Sequence, residues 1–146
     1  MAPYAHAILV VAADRGRARV FSIAHNREQL QELNDLVNAD AHRRAHMLAS
    51  DRQERALNRE RGSRAARFAH DIYAVIDDTR RRRAFDRVFI IANPQFLGLL
   101  RMELRNRQMA MPMRFIAKNL TRTSSNLIRS YLPKRLWSRR VMGVEV

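Results

Sequence analysis

The sequence predicts an α/β fold, a mixed sheet of about five strands flanked by helices. Three observations predict it. Largely apolar runs containing β-branched residues occupy residues 5–13, 86–92 and 111–117. Amphipathic segments that begin at capping residues separate the later runs. The first run is followed by a glycine-containing turn and a second, alternating run, which is the pattern of a hairpin. At 146 residues the chain is one domain by size and can bury one core.

Each element has a local reason. "AHAILVVAA", Ala5–Ala13, is apolar without a break after His6 and suits a buried strand near 6–13. "DRGR", Asp14–Arg17, puts a glycine in the turn that follows. "ARVFSIA", Ala18–Ala24, alternates and returns as a second strand near 17–24. "QLQELNDLVN", Gln29–Asn38, spaces Leu30, Leu33, Leu36 and Val37 more like a helix than a strand, and periodicity alone leaves both open. Ala39–Gly62 is charged and weakly patterned, so residues 39–61 are expected to form a mobile loop.

A helix is expected from about Ser63, whose hydroxyl suits an N-cap. Phe68, Ile72, Val75 and Ile76 share one of its faces. The run Arg80–Arg83 closes it, where positive charge complements the helix dipole. "DRVFIIA", Asp86–Ala92, reads as another buried strand. Pro94 sets the next turn and Gln95 caps a helix beginning near 95. A further strand is expected near 112–118, then a last helix from about 123, stopped by Pro133. Residues 1–132 thus form the α/β domain, and 133–146 a basic tail. A hairpin followed by right-handed βαβ crossovers is the plan of a ribonuclease H-like mixed sheet.

Composition excludes several chemistries. With no cysteine there is no disulfide, thiolate metal site or cysteine nucleophile. The N-terminal apolar run lacks a basic leader and is too short to span a bilayer, so no membrane insertion and a cytoplasmic location are expected. The net charge of +14 favours a polyanionic partner, although an arginine-rich solvated surface accounts for the same charge. His42 and His46 have i, i+4 spacing but no glutamate between them, so no metal site is expected. A two-metal nuclease needs clustered carboxylates, whereas Asn93 stands where the fourth strand ends. No cofactor signature is present.

"ILVVAADRGRARVF", "ARFAHDIYAVI", "FDRVFIIANPQFLGLLRMEL" and "IAKNLTRTSSNLIRSYL" resemble the bacterial host attachment protein family. That family is grouped with bacterial relatives of archaeo-eukaryotic peptide-chain release factors. The resemblance implies the release factors' central-domain fold and makes Gln29–Asn38 the third strand. It also sets "RGSRAARFA" where release factors carry Gly-Gly-Gln before a long helix, so Arg61, Gly62 and Ser63 stand in the triplet's place. The glutamine is missing, which argues for the scaffold and against the hydrolysis. Lys118-Asn119-Leu120-Thr121 likewise carries asparagine where the family pattern has an acid.

The function expected from these features is non-enzymatic association with RNA or the ribosome. Arg55, Arg59, Arg61, Arg64 and Arg67 are the expected phosphate contacts, with Arg80, Arg81 and Lys118 beside them. No catalytic residue is assigned. A second candidate region is the crevice beyond the strands' carboxyl ends, where Asn93, Pro94, Gln95 and Thr121 would converge. The alternatives are a protein-interaction factor in attachment to host cells or surfaces and, more remotely, a hydrolase with different loop chemistry. The sequence names no particular RNA or protein partner and no oligomeric state.

Overall fold

The computed structural model describes residues 7–24, 29–37, 51–107 and 112–134; within it the side chains of 51–63 are not described. Five strands form one sheet: β1 (Ala7–Ala13), β2 (Arg17–Ala24), β3 (Gln31–Val37), β4 (Arg87–Ala92) and β5 (Met113–Ala117). Their order is β3-β2-β1-β4-β5. β1 pairs antiparallel with β2 and parallel with β4, β2 pairs antiparallel with β3, and β4 pairs parallel with β5. This is the mixed, ribonuclease H-like plan expected from the sequence. The helices are α1 (Asp51–Arg82), α2 (Pro94–Arg105) and α3 (Ser125–Ser130).

Every residue of β4, and all of β1 after Ala7, is buried. Successive side chains of β1 therefore enter two different cores. Leu9, Val11 and Ala13 meet Phe68, Ile72, Tyr73 and Ile76 of α1 and Phe96 and Leu100 of α2. Ile8, Val10 and Ala12 meet Leu120, Ile128 and Leu132 on the opposite face. The result is three layers, with α1 and α2 on one side and α3 on the other. Burying one such large apolar side chain contributes about 1.5–3 kcal/mol, so the apolar runs of β1 and β4 dominate the drive to fold.

β3 resolves the ambiguity left by periodicity. The β2–β3 register shifts at Val20/Phe21: Val20 faces Asn34 but Phe21 faces Glu32, which leaves Leu33 as the extra residue of a bulge. Leu33 and Leu36 both pack on the core despite lying three apart. The bulge thus gives a strand a helix-like apolar spacing.

α1 corrects the expected boundary. It begins at Asp51, not near Ser63, so Asp51–Arg61 is helix and Gly62 and Ser63 are interior positions. The expected cap at Ser63 does not form. The segment before it is rich in Arg, Glu, Gln, Ala and Leu, all strong helix formers, and one interior glycine costs only about 1 kcal/mol. Residues 39–50, the remainder of the expected loop, lie outside the described residues, as do residues 135–146 of the tail. The cap of α2 is Asn93, whose Oδ1 accepts from Phe96 N at 2.9 Å; Gln95 does not fill that role.

Candidate functional site

The carboxyl ends of β1, β4 and β5 open into a crevice of about 760 Å3. The turn after β1 supplies Asp14, Arg15 and Gly16; the β4–α2 junction supplies Asn93, Pro94 and Gln95; Asn119 follows β5. The parallel pairing explains the convergence, because it brings the three strand ends to one edge of the sheet. Lys118 N donates to Ala92 O at 2.9 Å and holds the exits of β4 and β5 together.

Asp14 is the anchor of this edge. Its Oδ1 accepts from Gly16 N at 2.7 Å and Arg17 N at 2.8 Å, closing the β1–β2 turn. Its Oδ2 accepts from Thr121 Oγ1 at 2.7 Å. Thr121 is buried, and its Oγ1 also lies 3.4 Å from Asn119 Oδ1. With both oxygens engaged by protein donors, Asp14 ties the first turn to the β5–α3 loop. A smaller pocket of about 290 Å3 lies against Asp14, Arg17, Asp35 and Thr121 at the same edge.

Two arginines of β2 support the edge. Arg17 Nε donates to Asp35 Oδ1 at 2.8 Å, and its Nη2 donates to the second oxygen, a bidentate pair. The hydrogen bond from Arg17 holds the Asp35 carboxyl below its ordinary pKa, partly opposed by desolvation, and raises the Arg17 pKa in return. Arg19 Nη2 donates to Glu32 Oε1 at 2.8 Å, and its Nη1 donates to Thr123 O at 2.6 Å. β3, β2 and the loop before α3 are thereby linked. Both pairs are diagonal, since Arg17 stands opposite Val37 and Arg19 opposite Asp35 in the register, so placing Gln31–Val37 as a strand did not by itself reveal them.

The expected site residues fall into two groups. Asn93, Pro94 and Gln95 come together at the crevice, and Thr121 lies behind it, bonded to Asp14. Lys118 stays outside the lining, its Nζ 5.9 Å from the centre of the exposed Tyr131 ring. The arginines are spread along α1. Arg67, Arg80 and Arg81 are exposed and Arg64 is half-buried. The sixteen positions from Arg64 to Arg80 correspond to about 24 Å of helix at 1.5 Å per residue, so they form a track and not one cluster. Arg55, Arg59 and Arg61 lie on the same helix, with side chains outside the description. Arg61, Gly62 and Ser63 therefore occupy helical backbone where a release triplet would need a loop.

A second cluster joins α1 to α2. The buried Tyr73 donates its hydroxyl to Leu100 O at 2.7 Å, and burial raises the phenol pKa. Around it stand His70, Asp77, Glu103 and Arg107. This cluster depends on how two helices face each other, and no sequence motif announced it. Among the described residues no group of three His, Cys, Asp or Glu side chains could hold a metal ion. No helix among them is long and apolar enough to cross a membrane. His42 and His46 lie outside the described residues.

Residues 9–132 match the family described as "Protein required for attachment to host cells". No curated protein sequence matches the chain. Among solved structures, an archaeal translation termination factor is similar at 10% sequence identity and a TM-score of 0.44. That similarity covers 86% of this chain and 35% of the factor, so the chain spans about a third of the factor's length.

Proposed function

This chain belongs to the family of proteins required for attachment to host cells, and we propose that it acts as a non-enzymatic protein that binds RNA or ribosomes in the cytoplasm. Its relation to release factors, on this reading, is one of scaffold without hydrolysis. The observation that carries the proposal is the end of α1. Arg80, Arg81, Arg82 and Arg83 are all exposed, and only Arg82 has an acidic partner among the described residues, Asp78 at 3.5 Å. The other three guanidinium groups are available for phosphate, which the planar fork of arginine fits. The net charge of +14 supplies attraction at longer range. Helical backbone through Arg61–Ser63 supports the absence of release chemistry, since that chemistry needs a flexible, side-chain-free approach to the ester.

Salt-dependent binding of the full chain to RNA and to ribosomes tests the reading. Each phosphate contact contributes a log–log slope of about 0.7–0.9. Replacing Arg80, Arg81 and Arg83 by alanine should weaken binding and flatten that slope. The parallel triple variant at Arg61, Arg64 and Arg67 tests the other end of the track in the same way. Negligible binding at moderate salt, or an unchanged slope in both variants, overturns it. Peptidyl-tRNA hydrolysis by the purified protein overturns the non-enzymatic part.

A second reading, direct protein contact during attachment, is supported by α3. Leu127 of α3 and its C-cap Tyr131, four residues apart, are 52% and 43% exposed and so present two large apolar side chains about one helical turn apart. Loss of attachment in a Leu127→Ser/Tyr131→Ser variant that retains RNA binding would favour it.

A further inference from the structure

The crevice beyond β1, β4 and β5 carries carboxamide groups whose hydrogen-bonding capacity the fold uses only in part. Its volume of about 760 Å3 falls within the range of small-ligand pockets, about 300–1,000 Å3. Three carboxamides, from Asn93, Gln95 and Asn119, face into it from two different segments of the chain. A carboxamide presents a donor beside an acceptor, the arrangement that matches the edge of a nucleobase. Asn93 spends its oxygen on the cap of α2 and keeps its amide nitrogen, with two donors. Asn119 is exposed, and among the described residues its oxygen makes only the long 3.4 Å contact with Thr121. Gln95 is exposed and has no side-chain bond among the described residues.

A bare anion fits this place poorly. Pro94 has no N–H to offer. The N–H groups of Phe96 and Leu97 are taken by Asn93, at 2.9 Å in each case. That leaves Gln95 as the one free backbone donor of the first turn among the described residues, and Asp14 and Arg15 put opposite charges on the wall, so the lining carries no net positive charge. Hydrolysis of a phosphoester has no support either, since both Asp14 oxygens are engaged by protein donors.

We propose that this crevice binds one nucleotide, read by its base edge through Asn93, Gln95 and Asn119. The inference rests on the RNA-associated reading above and adds to it a site that does not depend on charge. The nucleotide is either free or an unpaired position of an RNA strand, and the shared chemistry is the base edge. The walls are set in advance. Asp14 fixes the first turn, Asn93 is locked by its cap, and the bond from Lys118 to Ala92 fixes the exit of β5. The ligand would meet a site that needs little ordering.

The test is backbone-amide NMR on the full chain, titrated separately with each of the four nucleoside monophosphates and with a single-stranded RNA oligomer. The variants are Gln95→Ala/Asn119→Ala, which removes no charge, and Arg80→Ala/Arg81→Ala/Arg83→Ala. The expected result is a shift of the Gly16, Gln95 and Asn119 amides in at least one arm. The carboxamide variant should lose that binding at least fivefold with the salt slope unchanged. Shifts with monophosphates identify a free nucleotide; shifts with RNA alone identify a strand position. If RNA binds through the end of α1 while the crevice amides stay silent, this inference falls and the RNA reading stands. If monophosphates shift the crevice but RNA never binds, the RNA reading falls and the crevice assignment stands. Binding unaltered in the carboxamide variant also overturns the inference.

Discussion

Arg107 Nη2 stands 2.8 Å from His70 Nδ1, and Glu103 Oε1 stands 3.1 Å from the same ring nitrogen. One imidazole nitrogen cannot accept from the guanidinium and donate to the carboxylate at once. The two contacts therefore compete, and Arg107 is held mainly by its other partners. Its Nη1 donates to Asp77 Oδ2 at 3.2 Å, and the guanidinium sits 5.7 Å from the centre of the Tyr73 ring. A single cation just beyond α2 thus engages two positions of α1 and the face of a buried aromatic.

Replacing Arg107 by alanine is expected to lower the free energy of unfolding by about 1 kcal/mol, because the loss leaves the part-exposed Asp77 and Glu103, 3.2 Å and 3.6 Å from the guanidinium, without their shared cation. Lysine should restore less than half, since a point charge cannot serve Asp77 and lie flat on the Tyr73 ring together. Urea unfolding of the three proteins measures this. Equal stability of wild type and the alanine variant would show that the cluster is solvated and idle.

Tyr73 gives a prediction at alkaline pH. Its phenol is pushed above the ordinary tyrosine range, chiefly by burial, with Glu103 adding to the rise and Arg107 opposing it. In the unfolded chain the phenol ionises near pH 10. Above that point the native state binds more protons than the unfolded state, so stability falls as pH rises. Tyr73→Phe should cost about 0.5–1.5 kcal/mol at neutral pH through the lost bond to Leu100 O. It should also remove part of the decline between about pH 9 and about pH 11. A variant with the same alkaline decline as wild type would place that decline elsewhere.

Asp35 acts at the other end of the pH scale. Arg17 holds its carboxyl below the ordinary range, so its contribution is complete above the unfolded pKa of about 3.9 and is lost as pH falls through the lower folded value. The two side chains are 38% and 39% exposed, which limits the pair to about 0–1 kcal/mol at moderate salt. Asp35→Asn should be slightly less stable than wild type at neutral pH and equal to it once acid has protonated the wild-type Asp35 in both the folded and the unfolded chain. Thermal unfolding at the two pH values decides.

The parts of the fold that were legible in the sequence are those buried on both faces. β1, and β4 after its first residue Arg87, are unbroken apolar runs because helices cover each side of the sheet. β3 was not legible from its residues, because a bulge at Leu33 disturbs the period-two pattern on which strand reading depends. The start of α1 was misplaced because Gly62-Ser63 resembles a cap, while the favourable residues before it outweigh one glycine. At the crevice, Asn93–Gln95 could be found because a strand-to-helix junction is a local feature. Asp14 could not be assigned its role, because its partner Thr121 lies 107 positions away and only the sheet brings them together.

The bond between those two residues carries the last prediction. Asp14→Ala strips acceptors from Gly16 N, Arg17 N and the buried Thr121 hydroxyl together, and should cost on the order of 2–4 kcal/mol given about 1–3 kcal/mol for each buried group left unsatisfied. Asp14→Asn should cost less. Its remaining oxygen can still accept from both backbone N–H groups, and the Thr121 hydroxyl can rotate to accept from the new amide nitrogen. Thr121→Val should fall between the two, since it removes one donor and leaves the turn intact. A double-mutant cycle between Asp14→Ala and Thr121→Val should return a coupling of about 1 kcal/mol or more, as expected for residues in direct contact. Additive losses would show that the turn after β1 and the loop after β5 hold their places independently. Asp14 would then be a local turn residue and not the tie across the mouth of the crevice.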